Sequence, residues 1–216
     1  MPIMAPETAT GESSARGAAR SRWPVIAFVS TMAGLALGAA TNVGQGILPG
    51  ATNQFVNSAA VWSLAPFAAG ALLPHRRRAA VAAATAAVCG EVVGYYAYAE
   101  LARGGMGALH YTLLWLVVAL VAGPVFGTAG AWWREGPGRR ATAGGAVLGG
   151  VFGGEGMHYL LVLGHATEGV LFLVATLLVP LLLGRDTRER VRGLLALLPA
   201  TALLYAFGLA QDLVMT

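Results

Sequence analysis

Two carboxylic acids and an imidazole interrupt the apolar runs of this 216-residue chain: Glu91 in one run, and Glu155 three residues before His158 in another. An ionisable side chain inside a bilayer-spanning stretch costs about 3 kcal/mol on insertion scales, so it normally faces a protein interior or a water-filled cavity. Such groups could bind a proton or a cationic ligand, or act as a general acid on an apolar substrate. On a helix, Tyr95 and Tyr98 follow Glu91 at i+4 and i+7 and share its face, while Tyr159 stands beside His158. The candidate ligand-binding residues are therefore Glu91, Tyr95, Tyr98, Glu155, His158 and Tyr159, with Asn53 and Asn57 from a preceding loop; for an enzyme, Glu91 and Glu155 would be catalytic. The competing reading makes each glutamate structural glue, hydrogen-bonded to a neighbouring helix, because burial favours the neutral form of a carboxyl group.

Glu155-x-x-His158 also has the spacing of carboxylate-bridged di-metal sites in helical bundles. Those sites need a second such pair and further glutamates, and only Glu91 lies deep enough to contribute, so no metal is expected. The chain contains no GxSxG, P-loop or HExxH, and no cofactor is called for.

The elements that must position these groups follow from composition. Hydrophobic residues make up 56% of the chain and charged ones 11%, against about 25% charged in soluble domains. The single cysteine, Cys89, excludes an internal disulfide framework and a CxxC metal site. The net charge of +4 does not signal nucleic-acid binding, because every basic side chain is an arginine and the arginines sit in short turns between apolar runs. An all-α, polytopic membrane helical bundle is the expected fold.

Residues 1–22 read as a disordered cytoplasmic tail and 23–216 as one transmembrane domain. The run from Trp23 is longer than an ordinary signal-peptide core and suits a signal-anchor equally well. Seven apolar runs follow, at 23–43, 58–74, 79–101, 110–133, 141–163, 167–184 and 193–210. Three of them are close to the minimum of roughly 17 residues for a crossing, so six spans plus one re-entrant segment is the alternative. Charge favours seven. With the N-terminus inside, thirteen of the fourteen arginines fall on inner segments and only Arg103 on the outer side, as the positive-inside rule asks. The C-terminus is then extracytoplasmic.

The run at 141–163 is the expected centre of the bundle. Gly145, Gly149 and Gly153 form one stripe and Gly150 and Gly154 its neighbour, the small-xxx-small spacing that lets helices approach closely. Prolines 66, 124, 180 and 199 invite kinks within or near the ends of four spans. The uncharged loop at 44–57 offers Gln45, Asn53, Gln54 and Asn57. The polar candidates all belong to the outer half, so a site would open outward.

The segments GlyAlaAlaThrAsnValGlyGlnGlyIleLeuProGly (38–50), AsnSerAlaAlaValTrp (57–62), ValValGlyTyrTyr (92–96), GlyProValPheGly (123–127), AlaTrpTrpArg (131–134) and GlyGlyGluGly (153–156) resemble a family of small bacterial multi-span membrane proteins, a domain of unknown function. The resemblance covers most of the chain after Trp23 and implies an integral membrane protein with no assigned catalytic residue. In size and glycine-rich helices the chain also looks similar to six-span capture subunits of energy-coupling-factor vitamin transporters, and to seven-span membrane terpene cyclases. No motif matches either residue by residue.

Three functions are compatible with this pattern. The first is a membrane protein with an outward-opening polar pocket that binds or transports a small or lipidic ligand. The second is an intramembrane acid–base enzyme acting on an isoprenoid or lipid. The third is a structural subunit partnering another membrane protein or a second copy of itself.

Overall fold

The computed structural model describes residues 22–105, 107 and 109–215, and for 211–215 the backbone alone. The expected tail therefore lies outside the described residues except for Arg22. Every element among the described residues is helical: α1 (Trp23–Ile47), α2 (Gly50–Val56), α3 (Ala59–Trp62), α4 (Leu64–Ala71), α5 (Arg77–Arg103), α6 (Leu109–Arg134), α7 (Arg139–Leu161), α8 (Ala166–Leu183) and α9 (Thr187–Met215).

Five of these are long and apolar enough to cross a membrane: α1, α5, α6, α8 and, over Thr187–Ala210, α9. Leu171, Leu182, Leu195, Leu198 and Leu203 are exposed on α8 and α9, as expected of surface meant for lipid. The glycine-rich α7 has the length but falls outside that set. Its glycines dilute its apolarity, and its buried face runs from Ala141 to Gly156, so it meets protein instead of lipid. Gly144 packs against Ala129 of α6, Gly156 against Leu173 and Phe172 of α8, and Gly150 and Gly154 against Ala200 and Leu204 of α9. In the other stripe Gly149 and Gly153 meet Leu197 and Thr201 of α9, while Gly145 has only the end of Leu183 near it, so most of both stripes makes the close approach their spacing predicts.

The run expected as a second continuous span, 58–74, is instead two short helices, α3 and α4, joined at Ser63 and preceded by α2. Pro66 has no N–H to give the carbonyl of Trp62, and the helical hydrogen-bond ladder is interrupted there, although Ser63 keeps helical dihedrals.

The path of the chain is fixed by which residues meet. Gly34 of α1 packs on Ala87 of α5, Gly38 on Glu91, and Gly46 on Arg103. Numbers rise together, so α1 and α5 are parallel. The intervening segment must bring the chain back, and it does. Trp62 packs with Val88 and Val92, whereas Ala69 and Leu73 pack with Ala80 and Ala84.

The turns before α5, between α6 and α7, and between α8 and α9 gather at one end. Arg77 lies over the Trp132 ring at 5.5 Å and Arg185 over Trp133 at 5.8 Å. Trp133 Nε1 donates to the Leu183 carbonyl at 3.1 Å, and the His75 amide donates to Glu135 Oε1 at 3.3 Å. Arg103 sits at the opposite end, on Gly46. Among the described residues, the arginines divide between the two ends as the turns between apolar runs predict.

Candidate functional site

In the half of the bundle away from the arginine-rich end, α3, α4, α5, α6, α7 and α9 enclose a cavity of about 680 Å³. Its size falls within the roughly 300–1,000 Å³ of small-molecule sites. Most of its polar groups gather toward the end away from the arginine-rich turns, Asn57, Ser58, Tyr95, Glu155 and His158, with Ser63 and the Trp62 indole N–H further in. The deeper wall is largely apolar, with Pro66, Val88, Val92, Ala119, Phe126 and Val151.

Glu155 is held there by the start of α3. The first amides of a helix have no partner within it, and here Ser58 and Ala60 are buried while Ala59, on the cavity wall, is exposed. The Ala59 amide donates to Glu155 Oε1 at 3.0 Å and the Ala60 amide to Oε2 at 2.8 Å. The third amide, of Val61, donates to the Ser58 hydroxyl oxygen at 3.0 Å, as at an ordinary serine N-cap. Each of the first three donors is thereby satisfied, two of them by a carboxylate from another helix. Glu155 joins the central helix to the broken segment while also facing the cavity.

Tyr95 is fixed from two sides. Its hydroxyl donates to Gln45 Oε1 at 2.5 Å, and its ring meets the edges of Trp62 and Tyr96 with centroids 5.6 Å and 5.2 Å away. The side-chain amides of α2, a short helix where the sequence suggested a loop, serve mainly as ties. Asn53 donates to the carbonyls of Gln45 and Leu48. The Tyr159 hydroxyl donates to Gln54 Oε1 at 3.3 Å while its ring stacks on Phe172 at 5.3 Å.

Glu91 does not line the cavity. It is 0% exposed, in the seam where α5 packs on α1. Neither of its carboxyl oxygens has a hydrogen-bond partner among the described residues, nor does Asn42 Oδ1 on α1, although Asn42 Nδ2 donates to the Tyr95 carbonyl at 3.1 Å. Glu91 and Glu155 therefore do not both belong to this wall: α5 contributes Val88, Val92, Tyr95 and Tyr96 to it, whereas the Glu91 backbone packs on Gly38 of α1.

Of the residues selected from sequence, the wall contains Asn57, Tyr95, Glu155 and His158, and does not contain Asn53, Glu91, Tyr98 or Tyr159. Sequence reasoning missed the aromatic lining of Trp62, Tyr96, Trp115, Phe126 and Phe207. Tryptophans near span ends read as interfacial anchors, and no local signal separates an anchor from a wall. No group of three or more His, Cys, Asp or Glu converges as a metal site among the described residues.

Residues 17–214 match a family described as a family of unknown function, DUF6518, and the chain belongs to it, in agreement with the resemblance seen in its motifs. No curated protein and no solved structure matches.

Proposed function

We propose that this DUF6518 member is an integral protein of the cell membrane that binds, or carries, a small lipidic ligand in the cavity between α3, α4, α5, α6, α7 and α9. In this reading the chain crosses the bilayer seven times, with the α3–α4 segment as the second, broken crossing. The arginine-rich end is cytoplasmic and the cavity lies in the extracytoplasmic half. The parallel run of α1 and α5 supports an odd number of crossings through α5, and the charge separation supports the orientation.

The observation that carries the ligand reading is a cavity of about 680 Å³ with most of its polar groups at one end and largely apolar walls elsewhere. An amphipathic molecule is the natural complement of that division. Acid–base catalysis has weaker support, because both Glu155 oxygens accept backbone N–H groups and Glu91 stands outside the wall.

Native mass spectrometry of the full chain released from membranes tests the proposal. Lipid adducts on the wild-type chain should be lost in Ala122→Phe and Val151→Phe, which fill the wall, with melting temperature retained. Adducts that persist in both variants would place the lipid elsewhere. For orientation, a cysteine at Gly104 should react with an impermeant maleimide on intact cells and one at Gly136 only after permeabilisation, in a Cys89→Ala background. The reverse pattern would invert the topology.

A further inference from the structure

We infer that the cavity takes its ligand sideways, through an opening between α6 and α9, and that the ligand is a lipid with a single uncharged hydroxyl head. This rests on the cavity being a lipid site and adds the route and the head-group chemistry.

The opening follows from how the two helices are packed. Beyond Pro124 the outer half of α6 stays with α5, with Ala119, Trp115 and Leu116 set against Val88 and Val92. The α9 helix instead lies on the glycines of α7, Gly150 and Gly154 meeting Ala200 and Leu204. Among the described residues, α6 packs chiefly on α4, α5 and α7 and α9 on α7 and α8, so α6 and α9 form no closely packed pair. The residues facing each other across this divide belong to the cavity wall and are also exposed: Val121 is 55% exposed, Leu203 71% and Phe207 52%. A side chain that both lines a cavity and lies open to the outside marks the edge of an opening. All three are apolar, so a lipid tail can pass them without losing hydrogen bonds.

The head-group assignment comes from charge. The wall contains no arginine or lysine, and its one acidic side chain is Glu155. A phosphate head would lie near a carboxylate with no arginine or lysine in the wall to receive it, the His158 imidazole being the one basic side chain among the lining residues, which is costly in a poorly solvated site. An ammonium head would compete for oxygens that already accept the Ala59 and Ala60 amides. A hydroxyl both donates and accepts, and the Asn57 amide offers both functions at the polar end.

Photoreactive oleyl alcohol, oleyl phosphate and oleylamine, each with a diazirine in the same tail, provide the test in phosphatidylcholine vesicles containing the full chain. The alcohol should label the peptides bearing Trp62 and Trp115, with the phosphate and the amine each about tenfold weaker. Equal or stronger labelling by phosphate or amine overturns the head assignment and leaves the cavity reading intact. The pair Val121→Trp and Leu203→Trp, both at exposed positions, should slow labelling of those peptides about tenfold with unchanged melting. Labelling at the wild-type rate overturns sideways entry, as does a dimer cross-linked through α6 and α9 that excludes the probes. If no probe reaches those peptides, or if Ala122→Phe is labelled like the wild type, the cavity reading itself fails.

Discussion

The α1–α5 seam and the α6–α9 divide are built from opposite materials. In the seam, Gly34 and Gly38 of α1 face Gly90 and Gly94 of α5, and a methyl group at any of these positions would run into the partner's backbone. Across the divide stand Val121, Val125, Leu203 and Phe207. Lipid tails are as apolar as leucine, so large side chains gain little by leaving lipid for each other. Helices in such a bundle close where residues are small and fit, and remain apart where they are bulky. One chain can therefore hold a sealed joint and a cavity wall side by side, each with its own carboxyl group.

The sharpest way to break the comparison is to give the seam a side chain from the divide. Gly38→Leu would drive carbon atoms into the Glu91 carbonyl and the Tyr95 amide, and backbone cannot yield as a flexible side chain can. We expect a loss of about 3 kcal/mol or more, read as a collapse of folded yield and unfolding midpoint in detergent. Val121→Leu, on the exposed side of the divide, should stay within about 0.5 kcal/mol. Equal tolerance at the two positions would show that the seam is not closed at backbone distance.

Next in size is the carboxyl on the cavity side. Glu155→Met leaves the buried Ala60 amide without an acceptor and frees that of Ala59, which is exposed on the cavity wall; an unsatisfied buried donor costs about 1–3 kcal/mol. Hydrogen exchange at those two amides should accelerate, while Glu155→Gln, which keeps one acceptor, should lie between. Unchanged exchange in Glu155→Met would remove Glu155 from its role as the cap of α3.

Much of the architecture was legible in the chain because it is written locally. The runs at 79–101, 110–133 and 141–163 became α5, α6 and α7 with ends displaced by one or two residues, since arginine and loop glycine bound a long apolar stretch unambiguously. The glycine stripes of α7 were legible for the same reason. The break at Ser63 was half legible: Pro66 announced a weak point, but the cap that holds the start of α3 comes from Glu155, 96 residues away from Ala59. No local pattern carries that information. For Glu91 the chain gives no local answer. At about 100° per residue it falls between the face of α5 marked by Ala87 and Gly94, which meets α1, and the face marked by Val88 and Tyr95, which lines the cavity, and apolar depth alone does not decide between them.

The smallest expected effect is the one that tells the two acids apart. Glu91 lies wholly buried in the seam, and neither carboxyl oxygen has a hydrogen-bond partner among the described residues. Methionine has a similar length and adapts to irregular space. Replacing a buried polar group that has no partner by an apolar one of like shape is close to neutral or stabilising. Glu91→Met should therefore hold or raise the unfolding midpoint, by at most about 1 kcal/mol, whereas the same substitution at Glu155 lowers it. The sign matters more than the size. A fall in Glu91→Met as large as that in Glu155→Met would mean that the seam's carboxyl is also engaged by a partner, and the contrast between a sealed joint and a functional wall would then have to be drawn elsewhere.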